Sequence, residues 1–224
     1  MVDISVKIGK LKLKNPVMSA SGTFGLEYGE LLDINSLGAL VLKTITYEPR
    51  QGNPAPRIAE VSSGMLNSIG LENKGLEDFV KKKVPKLKGI KIPVIASIAG
   101  NNAKEYAALA ARLGRIAKIA AIEVNLSCPN VRHGTREGLI AQDAEATQDV
   151  ISAVRKAASC ALIAKLTPNV SDISKIALAA QKAGADALLV ANTFPAMAVD
   201  IETGKPRLGN ITGGLSGPAL KPVI

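Results

Sequence analysis

"AAIEVNLSCPN", Ala120 to Asn130, is an apolar run that stops abruptly in polar residues and a proline. The run is short and nearly continuous rather than alternating, which is how a strand buried on both faces of a parallel sheet reads. Five more segments read the same way, namely "NPVMSAS" (Asn15–Ser21), "ALVLKTIT" (Ala39–Thr46), "PVIASIAG" (Pro93–Gly100), "ALIAKLTP" (Ala161–Pro168) and "ALLVANT" (Ala187–Thr193). Helix-like stretches fill the gaps: "KGLEDFVKKKVPKL", "NAKEYAALAARLG", "DAEATQDVISAVRKAA" and "SDISKIALAAQKAG". The last opens on Ser171 as a cap and closes on Gly184.

Strands alternating with helices imply βαβ units and an α/β domain, here one domain over residues 1–224 with no dividing linker. Polar residues gather where the apolar runs end: Ser21, Lys43, Thr44, Asn125, Lys165, Asn192 and Thr193. That placement favours a (β/α)₈ TIM barrel, whose reactive groups collect at the C-terminal strand ends, over an open six-stranded α/β sheet. Six strand units are visible, and the chain stops at "GPALKPVI", where a seventh crossover helix is expected. The expectation is therefore a barrel lacking strands seven and eight, with about six of its eight units present. Two Pro- and Gly-rich connections, Thr46 to Leu66 and Phe194 to Thr212, are too long for simple turns and read as functional excursions.

Composition bounds the function. The chain has 224 residues, 47% hydrophobic and 21% charged, enough for one packed core. Its net charge is +9, but the lysines are dispersed, aromatics are 3% and Trp is absent, so nucleic-acid binding is not expected. Attraction for anionic small molecules fits better. No apolar run reaches membrane-spanning length, and the start has no signal-peptide core. Two cysteines make no disulfide framework, which sets a reducing cytoplasm as the default location.

Cys128 and Cys160 read differently. Cys160, in "AASCALIA", reads as inert packing. Cys128 lies just past a strand end in a polar turn, suited to nucleophilic or acid/base work. The only histidine, His133, sits in the following loop, so acid/base work or a lid over a ligand is favoured. Asn67, Asn125, Asn130 and Asn192 offer paired donors and acceptors to a planar ligand. The glycines of "TGGLSGP" (Thr212–Pro218) allow close backbone approach to a phosphate or flat ring. A lysine inside "LVLKTIT" and another inside "LIAKLTP" each call for a partner or an anion.

Taken in order, "NPVMSASGTFG", "KTITYEPRQGNPAPR", "GMLNSIGLEN", "NLSCPNV", "AKLTPNV", "VANT" and "GGLSGPALKPV" resemble the class 1 dihydroorotate dehydrogenases. "EPRQGNPAPR" and "CPNVRHG" lie closer to the B-type catalytic subunit than to the A-type homodimer. The resemblance implies FMN across the barrel mouth and oxidation of (S)-dihydroorotate to orotate in pyrimidine (UMP) biosynthesis. By motif, Cys128 is the base. Lys43, Asn67, Asn125, Asn192, Thr193 and the backbone of Ser68, Ile69, Gly70 and Leu71 hold substrate. Ser21, Lys43, Thr44, Asn125, Lys165, Val190 and Gly217 fall on flavin positions, with Lys165 offsetting negative charge on the reduced ring.

The same resemblance implies a homodimer of catalytic subunits and a partner electron-transfer subunit carrying FAD and a [2Fe–2S] cluster, ending at NAD⁺. Two departures stand out: Ser97 where many relatives carry asparagine, and a shorter loop after Cys128. Since the family's flavin phosphate is gripped after strands seven and eight, this chain alone is expected to hold FMN weakly or not at all. Two rival readings are a dihydropyrimidine dehydrogenase-like flavin barrel, which has no use for a carboxylate-binding Lys43, and a non-catalytic scaffold.

Overall fold

The computed structural model describes residues 2–127 and 140–224. Cys128, Asn130 and His133 lie outside them. Along the chain, a hairpin of β1 (Val6–Ile8) and β2 (Leu11–Leu13) comes first. Next come β3 (Leu40–Val41), β4 (Ile58–Val61), β5 (Gly64–Asn67) and the single turn α1 (Gly75–Asp78). Strands and helices then alternate through β6 (Val94–Ile98), α2 (Ala103–Leu113), β7 (Ile119–Asn125), α3 (Ala144–Ala157), β8 (Ala161–Lys165), α4 (Ile173–Lys182) and β9 (Ala187–Leu189). Two short strands, β10 (Phe194–Ala196) and β11 (Gly213–Ser216), follow.

The central sheet is parallel and five-stranded, in the order β3-β6-β7-β8-β9. Strand neighbours in space are thus neighbours in sequence, as in a barrel wall and unlike an open doubly wound sheet, whose order reverses. The first expected strand, Asn15–Ser21, joins through a single parallel bridge, Met18 to Ala39. Its ladder stops because Ser19 Oγ takes over the backbone of Val41, accepting from its N–H at 3.0 Å and donating to its carbonyl at 3.2 Å.

Alternation along these strands sorts two faces. Val94, Ala96, Ile98, Ile122, Val124, Leu162 and Ala164 face the helices and join the main core with Tyr106, Leu109, Leu113, Ile151 and Val154. Ile95, Ala121 and Ile163 point the other way and form a second, smaller core with Leu13, Ala39 and Val41. Hairpin β1–β2 contributes to that inner core through fully buried Leu13, with Ile8 and Leu11 packed on it.

Helix starts follow the sequence, with one shift. Asn102 caps α2 by accepting from Glu105 N–H, and Asp143 caps α3 by accepting from Glu145 and Ala146 N–H. Such caps satisfy orphan amides and contribute about 1 kcal/mol each. At α4 the cap is Asp172 rather than Ser171, because the aspartate oxygen reaches Ser174 N–H. The stretch Lys74–Leu87 is not one α-helix. It runs as α1, a wider turn over Phe79–Lys83 and a tighter one over Val84–Gly89. Pro85 cannot donate to a preceding carbonyl and its ring crowds that turn.

Both long connections build a second sheet, antiparallel, in the order β10-β11-β5-β4. The side chain of Asn73 ties its return to the barrel wall, accepting from Gly75 N–H at 2.8 Å and donating to Thr46 Oγ1 at 2.8 Å. Among the described residues no helix is long and apolar enough to cross a membrane.

Candidate active site

Above the small inner core, the inward positions turn polar. Ser97 on β6, Glu123 on β7 and Lys165 at the end of β8 are all buried. In register, Ser97 faces Glu123 and Asn125 faces Lys165. One side chain per strand then links to the next. Ser21 Oγ lies 3.0 Å from Thr44 Oγ1, and Thr44 Oγ1 lies 2.9 Å from Ser97 Oγ. Ser97 Oγ donates to Glu123 Oε1 at 2.7 Å, and Glu123 Oε1 stands 3.7 Å from Lys165 Nζ. The result is a polar seam across the C-terminal half of the strands, resting on an apolar floor.

A second chain of contacts joins the seam to the antiparallel sheet. Asn125 Nδ2 reaches Thr44 Oγ1 at 3.5 Å, and Ser127 Oγ donates to Asn125 Oδ1 at 3.0 Å. Asn192 Nδ2 donates to Ser127 Oγ at 2.6 Å, while its Oδ1 accepts from Thr193 N–H at 2.8 Å. Gly214 packs on Thr193 so tightly that a Cβ there would lie 2.0 Å from Oγ1. Asn67 Nδ2 in turn points to the Gly214 carbonyl at 3.4 Å. From below, Tyr106 OH donates to the Asn125 carbonyl at 2.7 Å and fixes the end of β7.

The structure thus brings Ser21, Thr44, Asn67, Asn125, Lys165, Asn192 and Thr193 into one connected set. Lys43 is next to Thr44 in sequence but exposed, so burial imposes no need for a partner there. It lines a cavity of about 400 Å³ with Thr44, Gly22 and Asn73. Buried Lys165 does meet the expectation of a partner, through Glu123.

The turn Ser68–Leu71 is largely self-engaged. Ser68 N–H donates to the Arg57 carbonyl at 2.8 Å, and the Ile69 and Leu71 carbonyls accept from Asn53 N–H and Asn73 Nδ2. Gly70 and Leu71 both take positive φ, at 72° and 55°. Val190 follows β9 and is half exposed. Gly217 sits on the β4–β5 turn, where a Cβ would meet Gly64 Cα at 2.5 Å. Burial pushes the Cys160 thiol up from its ordinary range, and it lies at the start of β8, the opposite end from Lys165.

Sequence alone does not single out Glu123 or Ser127 as site residues, and it marks Ser97 only as a departure. A signal for Glu123 exists, since an acid inside "AAIEVNLS" poses the same burial problem as the lysine inside "LIAKLTP".

Two groups remain unanswered within the described residues. Lys165 Nζ has an ion-pair partner at 3.7 Å, beyond hydrogen-bond reach. Ser68 Oγ is buried with no partner. Leaving a buried polar atom such as Ser68 Oγ open costs about 1–3 kcal/mol, so a polar ligand that reached it would be favoured.

Comparison with known proteins identifies the family. A family model described as dihydroorotate dehydrogenase matches residues 3–224. The catalytic subunit of dihydroorotate dehydrogenase B (NAD(+)) from Trichlorobacter lovleyi is 51% identical over 223 residues, covering 98% of this chain and 72% of that protein. Its counterpart from Desulforudis audaxviator is 52% identical, covering 99% and 72%. A crystal structure of DHODH with ferulenol from Eimeria tenella superposes with a TM-score of 0.73 at 23% identity, over 97% of this chain and 66% of that one. That likeness shows the fold, a TIM barrel of which the five parallel strands form part of the wall. With a family model spanning all but the first two residues and half of all positions shared with these relatives, the chain belongs to the dihydroorotate dehydrogenase family.

Proposed function

We propose that this chain is the catalytic subunit of a B-type dihydroorotate dehydrogenase, oxidising (S)-dihydroorotate to orotate in the cytoplasm. The observation that carries the proposal is the connected set of amides and hydroxyls around a buried lysine whose donors are not taken up by described residues. That donor set suits FMN. A cation whose N–H groups are not taken up by described residues matches an electron-rich ring edge.

When bound, FMN supplies a two-electron acceptor for the hydride that leaves C6 of the substrate. The chain's own residues do the rest. Cys128 as thiolate takes the C5 proton, so that the C5–C6 double bond forms with atoms and charge in balance. Its role rests on the motif "NLSCPN", whose first residue, Asn125, ends β7 at the seam. Lys43, exposed beside Thr44, holds the substrate carboxylate as a mobile cation. Asn67, Asn125, Asn192 and Thr193 fix the ring through donor and acceptor pairs. Ser21, Thr44, Asn125, Val190 and Gly217 would hold the flavin, and Lys165 would offset negative charge on its reduced form.

Electrons then pass to NAD⁺ through a partner subunit with FAD and a [2Fe–2S] cluster, the catalytic subunits pairing as a homodimer. The relatives' names, which specify a catalytic subunit and NAD(+), favour this outlet over a direct small-molecule acceptor.

The test is orotate formation by flavin-loaded protein, against dihydrouracil formation from uracil. Cys128→Ala is expected to lower orotate formation by about 10²-fold or more, with flavin content unchanged, as loss of a general base does. Turnover equal to the parent would remove Cys128 from the mechanism, and preference for uracil would replace the substrate.

A further inference from the structure

Glu123 is the buried acid of the seam, and the reaction above gives it no task. Its position determines how the hydroxyls of Ser97, Thr44 and Ser21 must point. A carboxylate accepts hydrogen bonds and cannot give them. Ser97 therefore donates its single hydroxyl proton to Glu123, across 2.7 Å. With that proton committed, Ser97 accepts from Thr44 across 2.9 Å. Thr44 in turn has no proton left and accepts from Ser21 across 3.0 Å, along with Asn125 Nδ2 at 3.5 Å. The order Ser21 to Thr44 to Ser97 to Glu123 is thus directed, and Ser21 shows the site lone pairs only. On the other side, the same carboxylate oxygen faces Lys165 Nζ at 3.7 Å, close enough to anchor the charge yet leaving its N–H groups free of hydrogen bonds from described residues.

We propose that Glu123 is a positioning residue that sets both walls of the site at once, anchoring the Lys165 ammonium and orienting the Ser97–Thr44–Ser21 hydroxyls so that the site offers a cation on one side and a hydroxyl acceptor on the other. This inference rests on the flavin reading above. It assigns Ser97 as well. Its hydroxyl is the relay between Glu123 and Thr44, short enough to bridge two adjacent strands, and is not a free ligand contact.

Glu123→Gln separates anchoring from mere charge. The amide keeps the volume but drops the charge, so the Lys165 ammonium loses its anchor, and an N–H₂ turned toward Ser97 reverses the hydroxyl chain. In flavin-loaded protein the midpoint potential of the bound flavin is expected to fall, because a displaced lysine no longer favours the reduced, more negative form. Simple loss of a nearby negative charge would raise it instead, so the sign decides. Turnover is expected to fall about tenfold while KM for dihydroorotate stays within about twofold, the pattern of a misplaced rather than a missing group. On a Lys165→Ala background, Glu123→Gln is expected to move the midpoint no further. Ser97→Ala, which cuts the hydroxyl relay and spares the ion pair, gives a smaller drop in turnover with the midpoint unmoved.

A midpoint that rises or stays put in Glu123→Gln overturns the proposal, as does an effect that persists without Lys165. If the parent binds flavin but leaves dihydroorotate unoxidised, the function fails and the midpoints still judge Glu123. If flavin does not bind, crystal structures of the parent and Glu123→Gln judge it: Lys165 Nζ is expected to move by about 1 Å or more, beyond the tolerance of a working site, and an unmoved ammonium overturns the proposal.

Discussion

The parallel sheet and the antiparallel sheet of this protein are held together by different logic. In the parallel sheet the strands lie side by side in the order in which they occur in the chain, with β4 and β5 set aside in the other sheet, and the inward positions form two layers, apolar below and polar above. The antiparallel sheet joins pieces far apart in sequence, as where Asn67 pairs with Gly214, around a small cluster of Ala59, Leu66 and Leu208. The first is a wall that can carry a buried ion pair because a large core stands behind it. The second is a platform whose value is to bring Asn67 against the seam. Rigidity and reach are thus divided between the two sheets.

Core truncation is the strongest way to break that contrast. Ile122 is fully buried within the main core, and Leu66 is equally buried in the small one. Ile122→Ala is expected to cost about 4 kcal/mol and Leu66→Ala about 2–3 kcal/mol, since a small cluster collapses around a lost side chain more readily than a close-packed wall. Denaturant melts of both variants check this. Equal costs would mean the platform is as tightly built as the barrel.

Gly214→Ala gives a smaller effect on stability but a directed one on binding. Its Cβ would lie 2.0 Å from Thr193 Oγ1 and 2.7 Å from Thr193 Cβ, so the Thr193 side chain must move and its Oγ1 contact with Asn192 Oδ1, at 3.5 Å, is disturbed. A loss of about 1–3 kcal/mol in stability is expected from such overpacking. KM for dihydroorotate should rise by about tenfold, a cost of about 1.4 kcal/mol in uniform binding, with turnover held to within about twofold. Steady-state kinetics on the variant decide it. If turnover falls with KM unchanged, Thr193 acts on the reaction step and not on substrate positioning.

What can be read from sequence follows the same division. The wall is legible because its strands obey a local rule, a short apolar run closed by a polar residue, and the polar residues that close them become the seam. Lys165 is legible too, since a charge inside an apolar run demands an answer. Glu123, its answer, is easily passed over because one acid between Ile122 and Val124 barely interrupts the run. Ser97 looks like a departure from relatives because its two partners, Thr44 and Glu123, are 53 and 26 residues away. The platform leaves only length and glycine content to read, for no local pattern tells Asn67 that its partner lies 147 residues on. Asn15–Ser21 reads as a full strand because apolar content does not reveal a serine that captures its neighbour's backbone.

Cys160 gives the mildest test, at the end of β8 away from the seam. Burial raises its thiol pKa, Arg155 nearby lowers it, and Asp186 adds a smaller upward push, with burial the largest influence. The Arg155 guanidinium spends hydrogen bonds on the Cys160 carbonyl at 2.6 Å and on Asp186 at 3.1 Å, so its charge is not reserved for the sulfur. A thiol raised in the folded state keeps its proton after the unfolded thiol has lost it. Native protein then binds more protons, and stability falls as pH climbs through the ordinary thiol range and beyond. In a Cys128→Ala background, iodoacetamide at about pH 8.5 should therefore modify Cys160 more slowly than free cysteine, because only the thiolate reacts. A rate matching free cysteine would show that partial burial at the floor end of β8 does not hold the thiol protonated, and that Arg155 offsets it.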